Sequence, residues 1–175
     1  MTHTTSHRHG MALIAAFVAL MLWHASAGAA ESKNLALNKP ASCSSIENDD
    51  HGAAQANDGD SESCWRADDE PESGPEWWLV DLEKPLALSG CQIRWPFPDK
   101  KYQYKIEGSA DKKTWVVLSD QTRSTAKTQI HDLAFGHAKD IRYVKITITA
   151  VDEGCWPSIS EVKVFGTEQT TGAAQ

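Results

Sequence analysis

Positive charge is scarce in this 175-residue chain, in which 17 Lys and Arg stand against 24 Asp and Glu for a formal net charge of −7. Nucleic acid and anionic lipid surfaces are held by concentrated Lys and Arg, so no nucleic acid partner is expected and a membrane is not the expected ligand. Beyond residue 30 the only histidines are His51, His131 and His137, and none sits in a nucleophile-elbow or triad-like setting. No Cys-x-x-Cys pair occurs, which removes the usual sign of a cysteine zinc site. No apolar run reaches the roughly 20 residues that cross a bilayer. Internal repeats, linkers and apolar stripes at helical spacing are also missing.

What is present begins with an export pattern. Arg8, with His3, His7 and His9, precedes an apolar run from Met11 to Trp23 and a small-residue stretch ending at Ala30. Residues 1–30 therefore read as a secretory signal, and the mature protein is expected to be secreted, outside the cell or in the periplasm. Its removal deletes one Arg and no acid, taking the charge to −8. Residues 31–166 have the size of one domain, and 167–175 form a short polar tail. All four cysteines (Cys43, Cys64, Cys91, Cys155) lie in the exported part. An even count in an oxidising compartment allows two disulfides in three pairings, while Cys91 in an apolar strand also reads as a free core thiol.

From Trp77 onward the pattern has period two. Trp78, Val80 and Leu82 share one parity, as do Cys91, Ile93 and Trp95, then Tyr102, Tyr104 and Ile106. Val144, Ile146 and Ile148, and then Val162 and Val164, repeat the alternation. Trp115–Leu118 and Ile130–Leu133 are shorter runs of the same kind. Turn-forming residues at Glu83–Pro85, Ser89–Gly90, Ala110–Lys112 and Phe135–Gly136 separate them. Alternating runs at this spacing define an all-β sandwich or barrel, without choosing between a jelly roll and an immunoglobulin-like arrangement.

One loop stands out. Between Ala53 and Trp65 the chain sets Asp58, Asp60 and Ser63 around Gly59. Calcium takes six to eight oxygens from carboxylates, hydroxyls and carbonyls, and a loop turning at Gly can aim several inward. An EF-hand does not fit, because its sixth position would be Ser63 and its twelfth Asp69, with no flanking helices. A solvated Asp-Gly turn is the other reading that the pattern leaves open.

Together with Asn34-Leu-Ala-Leu-Asn-Lys-Pro-Ala-Ser-Cys-Ser-Ser45 upstream and Trp156-Pro-Ser-Ile-Ser-Glu-Val-Lys-Val-Phe-Gly166 downstream, this loop resembles the discoidin family. These are the C-type domains of coagulation factors, and bacterial carbohydrate-binding modules of that fold are the most similar. The resemblance implies a jelly-roll sandwich, galactose-binding-domain-like, of about eight strands. It implies a structural Ca²⁺ held by Asp58, Asp60, Ser63 and Glu161, completed by carbonyls near Gln55 and Ser160. If both segments meet at that cation, Cys64 and Cys155 approach each other. Cys64–Cys155 is then the preferred bridge, and Cys43–Cys91 the weaker one.

No enzyme is expected. The carboxylates of Asp68–Glu76 could supply a glycosidase pair, but a charge run in a Pro/Gly-rich loop is ordinarily solvated surface. The resemblance points instead to a non-catalytic glycan-binding module whose ligand sits at the loop end. There Arg66 stands where galactose-binding relatives show a His, and Trp95-Pro-Phe97 where they show an Arg, so galactose itself does not follow. Arg66, Trp95, Phe97 and Trp156 are the candidate ligand residues, with loop packing the competing role for Trp95 and Trp156. Trp65, Trp77, Trp78 and Trp115 are read as structural. A cell-surface adhesion module that binds protein or phospholipid, with Phe97, Lys100 and Lys101 as its membrane cluster, is the alternative function.

Overall fold

The computed structural model describes Met1, residues 33–68 and residues 75–168. The chain divides into two units, Met1–Ala30 and Glu31–Gln175. Positions 2–32, where the export signal is expected, the acidic positions 69–74 and the tail from 169 lie outside the described residues. No helix among the described residues is long and apolar enough to cross a membrane.

Among the described residues the second unit has eight strands and two single-turn 3-10 helices. The strands are β1 (Ala41–Cys43), β2 (Trp65–Arg66), β3 (Glu76–Arg94), β4 (Tyr102–Ser109), β5 (Val116–Asp120), β6 (Ile130–Val151), β7 (Ser158–Ile159) and β8 (Glu161–Glu168). The larger sheet runs β1-β3-β6-β4-β5, with β8 also paired to β3, while β2 and β7 form a small ladder of their own. All pairings are antiparallel.

β3 and β6 carry the architecture. Their pairing persists from Glu76↔Ile148 to Arg94↔Ile130, with register shifts between Asp81 and Gly90. The first half of β3 pairs with β1, and the second half with β8. One long ribbon thus serves both layers of a jelly-roll β-sandwich, bending where the register shifts. The separators expected at Glu83–Pro85, Ser89–Gly90 and Phe135–Gly136 fall inside these strands instead of ending them. Glu83 takes a left-handed φ of 67°. At Gly90 a Cβ would stand 2.3 Å from the Leu133 carbonyl oxygen, so only glycine lets β3 and β6 close there.

The period-two residues meet between the layers. Trp78, Val80, Leu82, Ile93, Tyr102, Tyr104, Ile106, Val144, Ile146, Val162 and Val164 are all buried. Each such side chain contributes roughly 1.5–3 kcal/mol by leaving water. Trp95 belongs to the same core: its ring stacks on Tyr102 at 4.2 Å and 10°, meets Tyr104 at 5.0 Å, and stands edge-on to His131 at 5.6 Å. The Tyr104 hydroxyl and His131 Nδ1 are 2.8 Å apart.

Trp95→Ala should therefore lower the unfolding free energy by about 3–5 kcal/mol, the usual cost of emptying an aromatic core site. Trp156→Ala, at a site 37% exposed, should cost less than about 1 kcal/mol. Urea unfolding of the two variants measures the contrast, and equal losses would contradict this placement of the rings.

Candidate functional site

The Asp58–Ser63 loop is fixed from below before it turns. Asn57 is buried, and its amide donates to the Ala36 carbonyl at 2.6 Å and to that of Lys39 at 2.9 Å. The Trp78 indole N–H donates to the Ala53 carbonyl at 2.8 Å, anchoring the turn that precedes the loop. Gly59 then takes a φ of 88° at the apex. From there the oxygens converge. Ser63 Oγ lies 2.9 Å from Asp58 Oδ2, 3.0 Å from the Asp60 carbonyl and 3.1 Å from the Gln55 carbonyl. A hydroxyl has one proton, so at most one of these contacts is a full hydrogen bond; the others are oxygens gathered without a donor.

Glu161 closes the loop from the start of β8. Its Oε2 accepts the Gly59 N–H at 3.1 Å, while Oε1 is buried with no protein partner. Burial pushes the Glu161 carboxyl up to about 7, and the nearby Asp58 and Asp60 carboxylates add to the rise. A buried orphan oxygen facing other oxygens is what a hard cation relieves, so the residues present fit Ca²⁺. One detail differs from the sequence-based expectation. The Asp60 carboxylate turns away to accept the Glu62 N–H at 2.9 Å, so Asp60 faces the cluster through its backbone carbonyl. With that side chain withdrawn, no group of three His, Cys, Asp or Glu side chains converges among the described residues.

The rim expected to hold a ligand lies where β2 meets β7, with Trp65 opposite Ile159 and Arg66 opposite Ser158. Arg66 Nη1 is 3.1 Å from Glu47 Oε2, and its guanidinium carbon is 5.8 Å from the centre of the Trp156 ring. Arg66 Nε is buried and lacks a protein partner. His51 approaches from the other side. Its Nδ1 donates to the Cys64 carbonyl at 3.0 Å, which leaves Nε2 3.4 Å from Glu47. Trp156 follows a tight turn in which the Cys155 N–H donates to the Asp152 carbonyl at 3.1 Å, and the ring is 37% exposed. Beside it opens a cleft of about 520 Å³ lined by Asp68, Pro75, Glu76, Cys155, Trp156 and Pro157.

Of the four ligand candidates, the structure brings Arg66 and Trp156 together and removes the other two. Trp95 is fully buried, so it cannot serve as a stacking platform; Tyr102 takes the face that a sugar would need. Phe97 is half-buried against the core, not an exposed spike. The cations near it pin loops: Lys101 and Lys127 both bond Asp152, at 3.3 and 3.2 Å, and Lys100 reaches the Glu153 carbonyl. These bonds, led by the Lys101 N–H, hold the Asp152 carboxyl down at about 2. The Cys64–Cys155 bridge is also not formed, and all four cysteines are free thiols. The β2–β7 register explains this. With Ala67 N–H donating to the Pro157 carbonyl, the antiparallel chain carries Cys155 away from Cys64. Glu47, which joins Arg66 to His51, was not singled out from the sequence, since its partner lies 19 residues away.

An antiparallel jelly-roll β-sandwich with this order of strands is the fold of discoidin-type domains. The chain belongs to the F5/8 type C domain family, whose model matches residues 40–162. Chitosan-binding module 1 of a chitosanase/glucanase from Paenibacillus sp. IK-5 is 28% identical with a TM-score of 0.65, over 77% of this chain and 99% of that one. A Clostridium perfringens module in complex with GlcNAc-α-1,4-galactose is 23% identical with a TM-score of 0.67, over 78% and 96%. A pectin-binding carbohydrate-binding module is 25% identical with a TM-score of 0.62, over 79% and 94%. No curated protein matches the chain.

Ionising Glu161 without a cation leaves a buried charge unpaired. A carboxyl raised in the folded state contributes stability that is complete below its unfolded value of 4.5 and lost as pH rises through about 7. Metal-free protein should thus weaken between those limits, with a Glu161 share of up to about 1.4 kcal/mol per pH unit. Urea unfolding in chelator, wild type against Glu161→Gln, isolates that share; identical pH profiles would contradict it.

Proposed function

We propose that this chain is an exported, non-catalytic module that binds glycan at the Trp156–Arg66–Glu47 rim and carries a structural calcium ion. The observation that carries the reading is the half-exposed Trp156 ring, backed by Arg66 and opening onto the cleft beside it. An aromatic face takes the apolar side of a pyranose, while the guanidinium and carboxylate address its hydroxyls. The export pattern of residues 1–30 supports the placement outside the cell.

Amino sugars are the class favoured here. Asp68 and Glu76 line the cleft and Glu47, paired with Arg66, stands at the rim, an acidic margin that suits an ammonium-bearing glucosamine chain better than a uronate. Two Paenibacillus modules at 28% and 27% identity bind chitosan, the second in complex with chitotriose. A shallow rim desolvates many hydroxyls for little buried surface, so single-site affinity is weak. The half-buried Phe97 and the loop-bound lysines disfavour the membrane alternative.

Calorimetric titration with chitotriose, its N-acetylated form, galactose and oligogalacturonate tests the ligand. Chitotriose should bind best, and Trp156→Ala or Arg66→Ala should weaken it at least about tenfold, near 1.4 kcal/mol. Binding that ignores Trp156→Ala, or capture by anionic vesicles with no sugar bound, would contradict the reading. Hydrolysis of any titrated sugar would contradict the non-catalytic assignment.

Calcium is tested separately. The ion should bind the folded state alone, so calcium should raise the melting temperature relative to chelator. Asp58→Ala should abolish the difference. Identical wild-type melting in both conditions, with no metal in the purified protein, would reduce the loop to a turn.

A further inference from the structure

The cleft beside Trp156 has a wall that the rim does not account for. Glu76 lines it from the first position of β3 and is only 5% exposed, a carboxylate taken almost wholly out of water. An ionised side chain at that depth needs partners, and two are supplied. The hydroxyls of Ser44 and Ser45 both reach Glu76 Oε2, that of Ser45 at 2.8 Å. The direction of each bond is set from behind. Ser44 Oγ accepts the Trp77 N–H at 2.9 Å, and Ser45 Oγ accepts the Asp68 N–H at 3.1 Å. With a backbone donor on each oxygen, each hydroxyl is left to give its proton to the carboxylate.

Two needs of the carboxylate stay unmet. Both protons fall on Oε2, and among the described residues Oε1 has no hydrogen-bond partner. Both donors are also neutral, so they leave the charge itself unmatched. A sugar hydroxyl would satisfy the free oxygen alone. An ammonium satisfies oxygen and charge together, through a bond roughly twice as strong as a neutral one. Burial sharpens that preference, because a half-satisfied carboxylate costs more in a low dielectric than in water. The group is held in place before any ligand arrives. The Trp65 indole N–H fixes the Ser45 carbonyl at 3.0 Å, and Glu76 pairs with Ile148 across β3 and β6.

We propose that Glu76 is a second recognition point, which takes the ammonium of the glucosamine unit next to the one stacked on Trp156. Both residues line the same cleft of about 520 Å³, within the roughly 300–1,000 Å³ of small-ligand sites. This second point rests on the reading of Trp156 as the sugar platform and adds a requirement to it. The ligand must have at least two linked units, and the amine of the second must be free. N-acetylation there removes the positive charge and leaves the carboxylate facing a neutral amide.

Calorimetric titration with glucosamine, its disaccharide and the N,N′-diacetylated disaccharide tests the assignment. Wild-type protein should bind the free disaccharide at least about tenfold more tightly than either of the others. Glu76→Gln keeps an oxygen for the serine hydroxyls but carries no charge, so the three affinities should come within about threefold of one another. A second readout needs no variant: in nuclear magnetic resonance the Glu76 carboxyl carbon should shift as the disaccharide binds. A carboxyl carbon that stays in place at saturation would overturn the proposal. So would a disaccharide preference that survives Glu76→Gln. If Trp156→Ala still removes binding in those cases, the rim stands and only the second point falls. Binding that ignores Trp156→Ala overturns both.

Discussion

Two indole N–H groups inside the sandwich hold the segments from which recognition is built. Trp65 donates to the Ser45 carbonyl at 3.0 Å and Trp78 to the Ala53 carbonyl at 2.8 Å, each from a fully buried ring. An unpaired buried donor costs about 1–3 kcal/mol, so the loops are held wherever the rings are held. The first bond positions Ser45–Glu47, and the Glu47 N–H continues it by donating to the Arg66 carbonyl at 3.0 Å. The second positions the turn that opens the Asp58–Ser63 loop. Core packing and loop placement are thus one constraint, because the same two residues fill the interior and tie down the surface.

The two polar regions set on that frame differ in their electrostatics. At Glu161 a buried carboxyl lies near the exposed Asp58 and Asp60, and one of its oxygens has no protein partner. That arrangement costs stability whenever the Glu161 carboxyl ionises with its buried oxygen unpaired. At the rim, charges of both signs are already paired: Arg66 with Glu47, and Asp152 with two lysines. A paired, solvent-facing surface is inexpensive to maintain and inexpensive to desolvate in part, which suits the weak glycan binding proposed for it.

How much of this was legible in the sequence depended on the range of the interaction. Period two exposed the core, since alternation is a local signal and burial follows parity in Trp78–Leu82, Tyr102–Ile106 and Val144–Ile148. The Asp58–Ser63 spacing exposed the loop for the same reason. Strand ends were less legible: Glu83–Pro85 carries turn-forming residues, yet β3 absorbs them as a bend because it pairs with β6 on either side, Asp81 with Tyr143 and Leu86 with Ile141. Trp95 and Trp156 look alike in sequence, each followed by proline. What separates them is Tyr102, stacked on one and absent from the other, and seven residues of chain give no hint of that contact. Glu47 and the withdrawn carboxylate of Asp60 were hidden likewise, because both depend on where a distant or turning backbone delivers its partner.

The central claim is that recognition belongs to the exposed Trp156 and not to its buried counterpart. Nuclear magnetic resonance of the indole N–H groups, followed while chitotriose is added, reads both rings in one titration. The account expects the Trp156 indole to shift in proportion to bound sugar, together with the Arg66 side chain, while the Trp95 indole stays in place. Movement of Trp95 with Trp156 unmoved would contradict it.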